Sequence, residues 1–257
     1  MRTALVTAAT SGIGRQFAWR LSNDGDALVL VARNEGRLRA LASDLSQANG
    51  TNVEISRADL SSRTGLDRVC QRLQKDPRDG EPPIDLLVNN AGFSTGHLFL
   101  DADLDEEMLA LDVMVRAVMA TSYYAAHAMK DRGKGAIINI SSVAAQTGMG
   151  TYSANKAWVL AFTEGLAEQL RETGVHATAV VPGLTRTEFH GRAGVDVTGV
   201  GALAWTKPSQ VVSAALDASE RGRVIVTPTA RYKAIYHLSR VLPRSLVRSV
   251  ARHLPHM

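Results

Sequence analysis

"TALVTAATSGIGRQFA", Thr3 to Ala18, is the stretch on which the fold turns. A short apolar run, too brief for a stable helix, enters a turn of small residues, and a helical pattern follows from about Gly12 to Asn23. A strand feeding a helix through a glycine turn opens a βαβ unit. The turn through Thr7, Ser11, Gly12, Ile13 and Gly14, mostly small residues, lets the backbone approach a pyrophosphate, whose charge the first helical amides and the positive dipole end would receive. A tight turn that only packs helix on strand would use the same glycines.

Outward from this stretch the alternation continues. Further strands are expected at "ALVLVA", "NVEIS", "IDLLVNNAG", "GAIINISS", "VHATAVVPG" and "RVIVT". Helices are expected over "NEGRLRALASDLSQA", over the long run Asp105 to Arg132, and from Tyr152 to Arg171. Seven strands with helices between them imply right-handed crossovers, and continuous apolar strands suit burial on both faces. The fold class is therefore α/β, a single Rossmann-type doubly wound domain on a seven-stranded, mostly parallel sheet. Such sheets bind ligands at the carboxyl ends of their strands, where strand order reverses.

Composition agrees. The 257 residues, 45% hydrophobic and 21% charged, suit one sizeable core, and no apolar run reaches the roughly 18 residues of a membrane span. The first apolar run ends in a glycine turn rather than a cleavage site, so it reads as a strand and not a signal peptide. The lone Cys70 lies in the helical pattern "LDRVCQRLQ", where a half-buried core thiol is expected, and a reducing cytoplasm fits it. The net charge of +4 belongs to the end of the chain. Seven basic and no acidic residues follow Gly222, leaving the preceding 221 residues at 4 − 7 = −3. No RNA-binding aromatic signature or zinc-ligand spacing accompanies that charge, which argues against nucleic acid as a partner.

The second strand ends "VLVARNEGRL". A site for NAD would hold a carboxylate here against the ribose 2′-hydroxyl, whereas Ala32, Arg33 and Asn34 stand in its place. Arg33 can fork onto a 2′-phosphate, so NADPH or NADP is expected before NAD.

With "TAATSGIG", "ADL" (Ala58 to Leu60), "NNAG" (Asn89 to Gly92), "INISS", "YSANK" and "VPG" in this order, the chain resembles the short-chain dehydrogenase/reductase family, and in particular its NADPH-preferring carbonyl reductases, from about Arg2 to Thr227. The resemblance implies that Asp59 and Leu60 border the adenine, and that Asn89, Ala91 and Gly92 line the cofactor. It places Pro182, Gly183, Thr185 and Thr187 beside the nicotinamide, and makes Tyr152 and Lys156 both catalytic and cofactor-binding. A free tyrosine has a pKa near 10, and a lysine ammonium one helical turn away, with a positive nicotinamide ring, would lower it. In carbonyl reduction Tyr152 would give its proton to the oxygen as hydride arrives; in alcohol oxidation it would remove one. Ser142 is the candidate to hold the substrate oxygen, with Ser141 the alternative.

Three features depart from the family pattern. Ala8 stands where its first glycine is expected, and a methyl group disfavours positive φ. Ser142 and Tyr152 are 10 positions apart, about three fewer than usual. Met114 falls where the family carries an active-site asparagine that holds a relay water, and a thioether accepts weakly and cannot donate. A second class of function therefore stands beside a carbonyl reductase: a non-redox descendant, either an NADP-binding sensor or partner protein, or a redox-neutral enzyme using Tyr152 only as an acid.

The Rossmann-type catalytic unit is expected over residues 1–228, with a substrate lid at about 184–207. Phe93, Met149, Phe189 and Trp205 are the candidate contacts to a largely apolar carbonyl or alcohol substrate. Residues 229–257 read as a basic amphipathic extension in two helical pieces broken at Pro243, with Arg240, Arg244, Arg248 and Arg252 every fourth position and Leu254 among the apolar residues between them. Such an end can rest on an anionic membrane or contact an acidic carrier or substrate, while a lid helix packed on its own domain with a solvated basic face is the more ordinary reading. His253 and His256 have no third ligand at suitable spacing, so no metal is expected. Family resemblance implies a homodimer or homotetramer built on the two long helices.

Overall fold

The computed structural model describes residues 2–75, 78 and 80–251. Its centre is a sheet of β1 (Thr3–Thr7), β2 (Ala27–Ala32), β3 (Val53–Arg57), β4 (Leu86–Asn89), β5 (Gly135–Ile140), β6 (Val175–Val180) and β7 (Ile225–Val226). The seven strands lie in the order β3-β2-β1-β4-β5-β6-β7, and every neighbouring pair is parallel. This is the doubly wound α/β sheet expected, with its order reversing between β1 and β4.

The strands are apolar on both sides because both sides are covered. Ala4, Val6, Leu28 and Leu30 face α1 (Gly12–Asn23), α2 (Glu35–Asn49) and α8 (Pro208–Glu220). Leu5, Val29, Val31 and Leu87 face α3 (Arg63–Leu73), α5 (Ala117–Asp131) and α6 (Gly150–Gln169). Each fully buried aliphatic side chain in these layers contributes about 1.5–3 kcal/mol. Cys70 belongs to the second layer and is buried rather than half-buried, which pushes its thiol up to about 11.

The long helix expected over Asp105 to Arg132 is interrupted. It runs as α4 (Leu104–Leu111), a π-helical turn over Asp112–Arg116, and α5. Arg116 fixes the turn by pairing with Asp112 at 3.0 Å and donating to the Ser61 carbonyl. A widened turn leaves the apolar pattern almost unchanged, so periodicity could not reveal it. Beyond β6 come α7 (Phe189–Arg192), α8 and β7, then α9 (Ala230–Val241) and α10 (Arg244–Ala251), separated at Pro243. Arg252, His253, Leu254 and His256 lie outside the described residues.

Candidate active site

The turn after β1 brings backbone and small side chains to the sheet's carboxyl edge. Gly12 takes φ +52, and a Cβ at Gly14 would come 2.5 Å from Asn90 Nδ2 and closer still to the Ala8 carbonyl oxygen. Ala8 itself adopts φ 50, the positive φ that its methyl group disfavours. The left-handed region costs an L-residue roughly 1–2 kcal/mol, and here the Ala9 amide bound to the Val31 carbonyl at 3.1 Å helps hold it. Ser11, Gly12 and Ile13 line the crevice. Thr7 and Gly14 do not: Thr7 Oγ1 donates to the Val88 carbonyl and accepts from the amides of Asn90 and Ala91, tying β1 to the segment after β4.

At the far end of the crevice stand Arg33, Asp59 and Leu60, joined by Arg37, which the sequence reading missed although it lies one helical turn beyond Arg33. Asn34 caps α2 by accepting from the Arg37 amide at 2.9 Å. Partial burial would raise the Asp59 carboxyl, but the Ser61 hydroxyl at 2.7 Å, its amide at 3.0 Å and the nearby Arg33 charge hold it below its ordinary value. Ala91 and Gly92 line the same crevice, whereas Asn89 turns into the core. Its side chain donates to Ser122 and Asn139 and accepts from Thr121, a buried polar network under the sheet edge.

Ser142, Tyr152 and Lys156 converge at the middle of the crevice. The Ser142 hydroxyl faces Tyr152, where it favours the phenolate, and accepts from the Ala144 amide at 3.1 Å. Ser141 instead donates to the Lys156 carbonyl at 2.7 Å, which commits it to anchoring α6. The Lys156 ammonium lies 5.7 Å from the Tyr152 ring centroid and donates to the Ile140 carbonyl at 2.9 Å. Burial pushes Tyr152 up to about 12, against the lowered value expected from the sequence, and the nearby Ser142 hydroxyl offsets only part of this. The physical reason is loss of hydration around a phenolate, with lysine over the ring. The same burial pushes Lys156 down to about 8. A cationic ring in the cofactor position would act in the opposite direction on Tyr152.

Two neighbours complete the centre. Met114, buried in the π-helical turn, packs against Gly92 close to the lysine: a Cβ on Gly92 would stand 3.2 Å from Lys156 Nζ and 3.3 Å from Met114 Sδ. Glu107 of α4, unremarked in the sequence, is 6% exposed and accepts from Thr95 at 2.9 Å and from Thr151, beside Tyr152, at 2.5 Å. The short connection from Ser142 to Tyr152 is itself folded into a 3₁₀ turn over Val143–Gln146, closed by Thr147 bonded to the Ala144 carbonyl and to Ser153.

The crevice and the space beyond Tyr152 form one continuous cavity of about 1230 Å³, above the roughly 300–1,000 Å³ that usually holds one ligand. Phe93, Met149, Pro182, Gly183, Thr185, Thr187 and Phe189 line it, and Phe189 packs 5.6 Å from the Tyr152 ring. Trp205 does not: it meets the edge of His190 and lies under Arg186. The outer wall comes from the tail, where Leu238, Leu242, Leu246 and Val250 recur every fourth position across α9 and α10. That spacing was legible, and the tail packs on its own domain as the ordinary reading of it expects. Tyr232 of α9 ties down both ends of the segment over the cavity, accepting from the Leu184 amide at 3.2 Å and donating to the Ala204 carbonyl at 2.7 Å. Its ring lies so close to Gly183 that a Cβ there would overlap it. Among the described residues no group of three or more His, Cys, Asp and Glu side chains could hold a metal ion.

The short chain dehydrogenase family model matches residues 2–197. An uncharacterized oxidoreductase of Staphylococcus saprophyticus is 31% identical over 223 residues, covering 86% of this chain and 92% of that relative. Among solved structures, a short-chain dehydrogenase from Sphingobium yanoikuyae in complex with NADPH is 33% identical with a TM-score of 0.85, over 99% of this chain and 96% of that one. The bulky-bulky ketone specific alcohol dehydrogenase from Comamonas testosteroni is 28% identical with a TM-score of 0.80, over 99% and 95%. The fold thus has counterparts along nearly the whole chain, which belongs to the short-chain dehydrogenase family of nicotinamide-dependent oxidoreductases.

Proposed function

We propose that the protein reduces a ketone or aldehyde of a bulky, largely apolar substrate with NADPH, or oxidises the matching alcohol. The convergence of Ser142, Tyr152 and Lys156 within the crevice that begins at the glycine turn carries this reading. The crevice suits a dinucleotide: its turn, with glycines at 12 and 14, keeps the backbone open to a pyrophosphate, and Arg33 and Arg37 offer two cations where a 2′-phosphate would lie. When bound, the cofactor supplies the hydride. Ser142 holds the carbonyl oxygen within reach of Tyr152. Tyr152, protonated far above neutral pH, donates to that oxygen, and Lys156 replenishes the proton while orienting the ribose side of the crevice. Phe93, Met149, Phe189 and the tail helices exclude water around the substrate.

The Sphingobium and Comamonas proteins, by their names an NADPH complex and a bulky-ketone enzyme, support the choice of cofactor and substrate size. A cytoplasmic location and a homodimeric or homotetrameric state belong to the same reading. The decisive experiment follows NADPH oxidation across bulky apolar ketones. Tyr152→Phe should cost at least about a hundredfold in kcat with NADPH affinity retained; an unchanged rate would overturn the mechanism. Met114 favours one other reading, a non-redox descendant, because a thioether beside Lys156 supplies no polar link to solvent. NADPH binding without oxidation across the whole panel would select it.

A further inference from the structure

We propose that α9 and α10 seat the protein on an anionic lipid surface, with the cavity mouth against the bilayer so that an apolar substrate enters directly from it. This rests on the reading of the cavity as a site for apolar substrates. Residues 230–251 carry five fixed cations, Arg231, Lys233, Arg240, Arg244 and Arg248, and no carboxylate. Among the described residues none of the five lies within ion-pairing distance of an acidic group. The chain's densest acidic run, Asp101 to Glu107, belongs to α4 and the loop before it, leaving the tail uniformly positive.

The apolar side of the same helices is only half covered. Leu238, Leu246 and Val250 line the cavity and yet are 56%, 47% and 59% exposed, and Val241 beside them is 78% exposed. They form the rim of the mouth. Aliphatic side chains bordered by arginines match what a bilayer interface asks for, apolar area together with attraction to anionic headgroups. A protein carrier would need shaped, hydrogen-bonded contacts that this smooth aliphatic rim does not offer. No described helix is long and apolar enough to cross a membrane, so the contact is peripheral.

The test is co-sedimentation of the full chain with vesicles of phosphatidylcholine alone or mixed with phosphatidylglycerol. Binding is expected only to the mixed vesicles and should be lost at high salt. Replacing Arg240, Arg244 and Arg248 together with Gln should weaken it by about a hundredfold, the effect of three cations near an anionic surface. Turnover of a water-soluble ketone should persist in that variant, which separates failure of docking from failure of the activity. If the triple variant does not fold, Arg248→Gln alone should still weaken binding about fivefold. Absence of sedimentation by the native chain, equal sedimentation of native and Gln chains, or binding to an acidic protein with indifference to vesicles would each overturn the proposal.

Discussion

Lys156 and Tyr152 are buried side by side, yet burial moves them in opposite directions, the amine down to about 8 and the phenol up to about 12. As pH rises, Lys156 therefore loses its proton first. A reduction that draws protons through Lys156 should slow above about pH 8, and the pH profile of kcat should show that limb while Tyr152 stays protonated. Met114→Asn should raise kcat in the reductive direction by admitting a polar link beside the lysine, and a lower or equal kcat in single-turnover measurements would remove the supply argument. At the cofactor's other end, Arg33→Asp should raise the Kd for NADPH by about ten- to a hundredfold, the range expected for losing a hydrogen bond to a charged group. Residue by residue, motif order located the segments but not the direction of each side chain. Thr7 and Asn89 sit within cofactor motifs and serve the core, because neighbouring positions on a strand end point to opposite sides.

Elements were legible where a periodic apolar face defined them. β1, α1 and β2 lie where the pattern put them, since strand, turn and amphipathic helix each leave a distinct spacing. The π-helical turn and the Glu107 brace left none. One widens a helix by a single residue, and the other depends on side chains 44 positions apart meeting in space. Glu107→Leu should leave the hydroxyls of Thr95 and Thr151 without their acceptor at a cost of about 1–3 kcal/mol, lowering Tm by several degrees. If the brace also sets the start of α6, kcat should fall in that variant with the NADPH Kd unchanged, and Glu107→Gln, which keeps an acceptor, should recover much of it.

For the molecule as a whole, the doubly wound parallel sheet followed from the alternation of strands and helices, but the cavity required folded chain ends that no local pattern brings together. The face of α4 and α5 that carries Leu104, Met108, Leu111, Met119 and Tyr123 is exposed, apolar and continuous in spacing. Light scattering should report two or four chains, and Met119→Glu with Tyr123→Glu should shift the mass towards one without loss of far-ultraviolet helicity. The grip of Tyr232 on Leu184 and Ala204 bears on how such a protein could be re-engineered. A loop transplanted from a relative would arrive without the aromatic that staples its two ends, and a transplanted tail would bring an aromatic shaped for a different loop. Specificity in this chain should therefore be exchangeable only as a pair, loop and tail together, and chimeras that split the pair should be the ones that fold with a collapsed or gaping pocket.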